Sequence, residues 1–207
     1  MKKRKKTILV VLGGTSRERD ISLETGKACI NSIRRLGYNV KIFDPAKKFF
    51  NEINKKEVDI IFNALHGRDG EDGTAQSYFE YLKIPYTHSG VLSSMNAMDK
   101  VISKKIFKKN RLKTPKYFII KNNISNKNTL KSYVKKYSFN YPIVIKPSNE
   151  GSSIGVKICR NYNELKRSFG QLKKNYKTLI FEKYIGGQEV QVAVMNGKAL
   201  GAIELRP

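Results

Sequence analysis

The sequence predicts an α/β protein. It has a doubly wound parallel sheet at the N-terminus, an α+β unit with an antiparallel sheet after it, and the beginning of a third segment. Three observations carry this reading. Near-continuous apolar runs at TILVVL (7–12) and VDIIFNAL (58–65) alternate with helix-period stretches, as strands buried on both faces of a parallel sheet do. From about residue 89 that regular alternation gives way to helices and strands in mixed order. At the end, EVQVAVMNGKALGAIEL alternates in period two on either side of Asn196-Gly197, a strong two-residue hairpin signal.

Taken in order, TILVVL is a strand followed by a Gly13-Gly14 turn. Arg17 to Leu36 reads as a helix whose buried stripe is expected at Ile21, Ala28, Ile33 and Leu36, with Gly37 as its terminating glycine. NVKIF (39–43) is a strand ending at Asp44-Pro45, a short helix is expected around 46–55, and VDIIFNAL is the next strand. After the loop HGRDGEDG come a helical TAQSYFEYLK and a short IPYT run. Right-handed crossovers between these strands make residues 1–88 one doubly wound domain.

Helices over VLSSMNAM and DKVISKKIFKKN then precede a strand at 115–121, a polar helix near 127–138, and the strands YPIVIK and VKICR. A helix over 161–174 and the strand TLIFEKY (178–184) complete a central subdomain at 89–184. Residues 185–207 begin a further subdomain, and stopping one residue past a hairpin strand reads as an interruption or truncation of it.

Composition narrows the function classes. A formal charge of +24 raises a nucleic-acid reading. The basic residues are mostly Lys spread along the chain, and no zinc finger, RNP1 pattern or GXXG clamp accompanies them. Weak, salt-sensitive sticking is expected rather than specific binding. The two cysteines, Cys29 and Cys159, stand in no CxxC pattern, which argues against a zinc site or a disulfide scaffold and suits a reducing compartment. ILVVL is too short for a signal-peptide core of roughly 7–15 residues. No run approaches the ~20 apolar residues of a membrane span, so a cytoplasmic protein without a membrane partner is expected.

Four stretches hold chemistry-bearing residues, each with a plain alternative. GGTSRERD (13–20) leaves a buried strand and opens a helix. It reads as an anion site on helix amides, as a tight turn capped by Ser16, or as a place where Glu18 holds an ammonium group. ALHGRDGEDGT (64–74) lies at the carboxyl end of a parallel strand, where ligands bind. It carries His66, Arg68, Asp69, Glu71 and Asp72, or it is simply a solvated charged loop. KPSNEGSSIGV (146–156) is a glycine-serine turn or a phosphate lid, with Lys146 before it and Lys100 upstream at a helix start. FEKYIGGQE (181–189) leaves a strand toward Gly186-Gly187 with Glu182 and Glu189 on either side, and on its own reads as a hinge.

Together with VLGGTSRERDISLETG and IPYTHSGVLSSMNAMDK, these stretches resemble, in order and spacing, the D-alanine–D-alanine ligases of the ATP-grasp superfamily. The resemblance runs from residue 8 to the end. It implies a pre-ATP-grasp N-terminal domain, a central ATP-grasp subdomain, and ATP-dependent joining of two D-alanines through an acyl phosphate for peptidoglycan precursors. By residue it implies that Glu18 takes the ammonium of the first D-alanine and acts with Ser152 in catalysis, while His66 and Glu71 line that pocket. Lys100, Lys146, Gly151, Ser152 and Ser153 would meet ATP phosphates. Glu182, Lys183, Tyr184 and Ile185 would meet adenine, and Glu189 the ribose. The family uses Mg²⁺ or Mn²⁺, but its metal-binding acids match no residue here, so this chain alone is expected to turn over very slowly and no metal ligand is assigned. Two alternatives stand beside this reading: a nucleotide- or D-alanine-binding fragment without turnover, and a basic nucleic-acid-binding protein. Ligases of this family are commonly homodimers, though no feature of the sequence shows it.

Overall fold

The structure is a computed structural model that describes residues 4–121 and 128–206, so the start of the helix expected near 127 lies outside the described residues. The chain divides into two compact units, Met1–Thr114 with Lys146–Val156, and Pro115–Ile145 with Lys157–Pro207.

The first unit is built on strands β1 (Thr7–Val11), β2 (Asn39–Phe43) and β3 (Ile60–Asn63), all parallel and ordered β2-β1-β3. The IPYT run adds a single parallel bridge, Tyr86 to Ile61. Side chains alternate faces along a strand, and both faces of β1 are buried. Leu9 and Val11 join Phe43, Ile61 and Phe79 in one core, while Val10 and Leu12 join Ile30, Ile33 and Ala64 in another. Helix α1 (Arg19–Arg35) covers the second core, and α2 (Thr74–Leu82), α3 (Val91–Met98) and α4 (Lys100–Lys109) follow. Gly37 ends α1 at φ +84°, donating to the Arg34 carbonyl as the sequence predicts. Among the described residues no helix is long and apolar enough to cross a membrane.

Two expectations are corrected. The buried face of α1 is Ser22, Gly26, Ile30 and Ile33, whereas Ala28 is exposed and Ile21 and Leu36 are 49% and 73% exposed. Close approach, not side-chain size, selects this face: a Cβ on Gly26 would lie 2.6 Å from Leu12 Cδ2 and 2.7 Å from its Cβ. The helix expected at 46–55 is instead two short 3₁₀ turns, Phe50–Glu52 and Lys55–Glu57. Local side chains take the amides that a helix would use there. Glu52 accepts from Phe49 N–H at 2.7 Å, and Asn54 accepts from Lys56 N–H at 3.1 Å. Phe50 also stacks between Phe43 and Tyr78, with centroids 5.6 and 4.9 Å away.

In the second unit β4 (Tyr117–Lys121), β5 (Ile143–Pro147), β6 (Lys157–Cys159) and β7 (Thr178–Lys183) form a sheet ordered β4-β7-β5-β6. Both the β4–β7 and β5–β6 pairings are antiparallel, as expected. Helices α5 (Asn128–Lys136) and α6 (Tyr162–Leu172) contribute Leu130, Leu165 and Leu172 to its core. At the centre Phe118 lies flat on its cross-strand partner Phe181, with centroids 4.6 Å apart and planes 6° off parallel. Strands β8 (Glu189–Met195) and β9 (Lys198–Leu205) make the predicted hairpin. Asn196 and Gly197 both have positive φ, 51° and 73°, as a type I′ turn requires.

Two helical glycines give opposite expectations. Gly26→Ala gains helix propensity but drives a methyl into Leu12, and is expected to lower stability by about 1–2 kcal/mol net. Gly170→Ala in α6, where a Cβ would meet nothing within 4 Å, is expected to raise stability by about 0.5–1 kcal/mol. Urea unfolding midpoints of the two variants check the pair of signs.

Candidate functional site

The site in the first unit grows from the polar face of α1. Ser22 is fully buried, and its hydroxyl accepts from Gly13 N–H at 2.8 Å while donating to the Ala64 carbonyl at 2.7 Å. One side chain therefore ties the loop after β1 to the loop after β3. Ser16 adds a second tie, donating to the His66 carbonyl at 2.7 Å and accepting from Glu18 N–H at 3.1 Å. Ser16 is thus not the helix cap. That position is held by Glu18, whose own side chain caps nothing.

Two amides of GGTSRERD already have side-chain partners. Gly13 N–H is taken by Ser22, and Gly14 N–H by Asp44 Oδ1 at 3.0 Å, so those amides are already committed. Asp44 also accepts Arg19 Nη2 at 2.7 Å, and Arg19 Nη1 donates to the Gly14 carbonyl at 2.7 Å. This bidentate pair encloses the turn so closely that a Cβ at Gly13 would lie 2.7 Å from both partners. The Gly13-Gly14 turn thus has both its amides bonded and a guanidinium on its Gly14 carbonyl.

Glu18 is a further buried acid in this unit, 7% exposed. Ser152, in the glycine loop, donates its hydroxyl to Glu18 Oε1. The other oxygen is bounded by two glycines. A Cβ at Gly67 would collide with Oε2, and one at Gly151 would lie 3.3 Å from it and 4.0 Å from Glu71 Oε2. Proximity of the two acids has an electrostatic effect: burial first, and then the Glu18 charge, push the Glu71 carboxyl above its usual range. His66 stands beside them, with Nδ1 3.7 Å from Glu71 Oε1 and Nε2 3.1 Å from Thr25 Oγ1. A cavity of about 330 Å³ opens next to this group, lined by His66, Glu71, Gln76, His88 and Ser94 among others.

The glycine loop is fastened at its start as well. Lys100 Nζ donates to the Glu150 carbonyl, and the Lys100 amide donates to the Ser148 carbonyl at 2.9 Å. Asp99 caps α4 through Val101 N–H and Ile102 N–H, which fixes where Lys100 begins. Lys146 is half-buried at the end of β5. Ser152 and Ser153 are exposed and sit at φ 42° and 58°, a left-handed pair that costs roughly 1–2 kcal/mol per residue.

Glu18, His66, Glu71, Lys100, Gly151 and Ser152 are therefore drawn together within the first unit. Glu182, Lys183, Tyr184, Ile185 and Glu189 belong to the second. There Glu182 is buried on β7, Lys183 N–H donates to the Lys116 carbonyl at 3.0 Å, and Tyr184 N–H to the Pro142 carbonyl at 3.3 Å. Ile185 is 61% exposed, and Glu189 opens β8. Among the described residues no three His, Cys, Asp or Glu side chains come together as a metal site. Sequence reasoning missed Ser22, Thr25, Arg19 and Asp44. The available signal was helical spacing, since Glu18, Ser22 and Thr25 stand four and three residues apart on one face.

Two family models match the chain: one described as D-ala D-ala ligase N-terminus over residues 41–89, and one as D-ala D-ala ligase C-terminus over residues 106–207. The D-alanine--D-alanine ligase of Pelagibacter ubique is 49% identical over 202 residues, covering 98% of this chain and 65% of the relative. A crystal structure of the Bacillus anthracis D-alanine--D-alanine ligase matches 97% of this chain and 64% of its own, at 34% identity and a TM-score of 0.85. The Bacillus anthracis enzyme complexed with ATP matches at 31% identity and a TM-score of 0.80, over 98% of this chain and 66% of its own. The chain spans just under two thirds of the length of the curated relatives it matches.

The Arg19–Asp44 clamp carries a pH signature. Hydrogen bonds from Arg19, ahead of the smaller amide contributions, hold the Asp44 carboxyl down at about 2. Its folded value lies below the ordinary ~3.9, so this contribution is complete above that range and is lost as pH falls through it. Asp44→Asn is expected to cost about 1–3 kcal/mol at neutral pH. The gap to the unaltered protein should close as pH falls towards about 2, read by thermal unfolding across an acid pH series.

Proposed function

This chain belongs to the D-alanine–D-alanine ligase family, and we propose that it carries the first-substrate pocket and phosphate lid of an ATP-dependent ligase joining two D-alanines. The observation that supports this most directly is the hydrogen bond from Ser152 to Glu18. It brings the glycine loop down on the acid that the β1–α1 turn presents.

In this reading Glu18 takes the ammonium of the first D-alanine, and His66 and Glu71 bound the same pocket. Lys100 exchanges the Glu150 carbonyl for a phosphate oxygen, and Lys146 adds a second positive charge. Both charges are needed because moving a phosphoryl group onto a carboxylate brings anions together. Gly151, Ser152 and Ser153 cover the reacting groups and exclude the water that would hydrolyse an acyl phosphate. The amine of the second D-alanine then attacks the acyl carbon, losing a proton as the C–N bond forms. Phosphate departs with the electrons of the broken C–O bond, leaving the dipeptide for peptidoglycan precursors. In the second unit Glu182, Lys183, Tyr184 and Ile185 serve adenine, and Glu189 serves the ribose. Among the described residues no three His, Cys, Asp or Glu side chains gather as metal ligands, and no step is routed through a metal. A cytoplasmic homodimer belongs to the same proposal through the family.

Calorimetric titration with ATP and with D-alanine, alongside D-alanine-dependent phosphate release in the presence of Mg²⁺, tests it. Glu18→Gln is expected to weaken D-alanine about 10–100-fold while leaving ATP nearly unchanged. Lys100→Ala should weaken ATP by a similar factor and spare D-alanine. Binding without phosphate release would favour a binding fragment, and no binding of either ligand would sink the proposal.

A further inference from the structure

His66 is held from two sides by the elements around it. Its carbonyl is fixed by Ser16, and its ring lies between Thr25 on α1 and Glu71 on the following loop. An imidazole between two such partners has its tautomer decided by them, because one ring nitrogen donates while the other accepts. A hydroxyl can play either part, whereas an ionised carboxylate only accepts. At 3.7 Å the Glu71 oxygen is beyond direct hydrogen-bond range of Nδ1, yet its charge still attracts an N–H and repels a lone pair there. Glu18 acts on this arrangement through Glu71, and His88 lines the same cavity.

We infer that Thr25 is the positioning residue for His66. Its hydroxyl donates to Nε2 and holds the ring as the neutral Nδ1–H tautomer, with that proton turned towards Glu71. Thr25 is placed for this by helical geometry. It stands seven residues after Glu18 and three after Ser22, on the face of α1 that meets the β3 loop. The α1 helix thus presents an acid, a loop-tying hydroxyl and a ring-orienting hydroxyl in successive turns. That the oriented ring serves D-alanine rests on the ligase reading. The tautomer itself does not.

The test is ¹⁵N nuclear magnetic resonance of the histidine-labelled chain, at a pH well above the ordinary imidazole value of about 6.5. The sequence has only two histidines, so His88→Gln assigns the signals. The expected result is an unprotonated, pyridine-like Nε2 and a protonated Nδ1 for His66. Thr25→Ser should preserve this pattern, and Thr25→Val should move Nε2 towards the protonated form. A protonated Nε2 in the unaltered chain would overturn the inference without any variant, which covers the case of Thr25→Val failing to fold. A pattern identical in the unaltered chain and a folded Thr25→Val would overturn it as well. Thr25→Val should also weaken D-alanine up to about tenfold while sparing ATP, with Thr25→Ser restoring the affinity. If the tautomer depends on Thr25 in a chain that binds no D-alanine, the positioning stands and the ligase reading fails. If D-alanine affinity falls while the tautomer stays put, the positioning fails.

Discussion

The first unit depends on one buried hydroxyl. Ser22 spends its acceptor on Gly13 N–H and its donor on the Ala64 carbonyl, two backbone groups that belong to different strand–loop junctions. A buried polar backbone group left without a partner costs about 1–3 kcal/mol, so losing this side chain would leave two such debts at once. The geometry also explains the small residue one turn later. Gly26 lets α1 approach Leu12 closely enough for the hydroxyl to reach both loops. Backbone approach, hydrogen-bond reach and loop position are in this way one constraint.

From that constraint the rest of the acidic pocket follows. With both loops tied to α1, the carboxylate that starts the helix faces the histidine that follows β3, and Ser16 links them through the backbone. The Arg19–Asp44 pair closes the far side of the Gly13-Gly14 turn and uses up an amide that would otherwise draw an anion. Glycines 67 and 151 do the opposite work, omitting side chains where Glu18 needs room. The +24 charge of the whole chain says nothing of this local sign; the pocket is acidic because two carboxylates converge there.

How much of this was legible in the sequence varied with the range of the interaction. Strands such as TILVVL, the closing Gly37 and the Asn196-Gly197 turn are set by local pattern and backbone preference, and their reading matches the structure. The buried face of α1 does not yield to a hydrophobic count, because its first two turns bury Ser22 and Gly26 while Ile21 faces out. The segment expected to be helical at 46–55 instead forms short 3₁₀ turns, because Glu52 takes the Phe49 amide and Asn54 the Lys56 amide. Glu18 and Ser152 were each nameable as residues. Their hydrogen bond spans 134 positions and only the fold brings them into contact.

The crowding around Glu18 also bears on time. One oxygen accepts from Ser152, the other lies where side chains at Gly67 and Gly151 would crowd it, and little of the residue meets solvent. A carboxylate so covered cannot trade one partner for another by side-chain rotation alone; the glycine loop must lift first. Ser152 holds that loop to the acid, and both it and Ser153 sit in left-handed backbone, a conformation that stores strain. Exchange of any partner at this acid would therefore be tied to the opening of that loop as well as to the strength of the partner's own contacts.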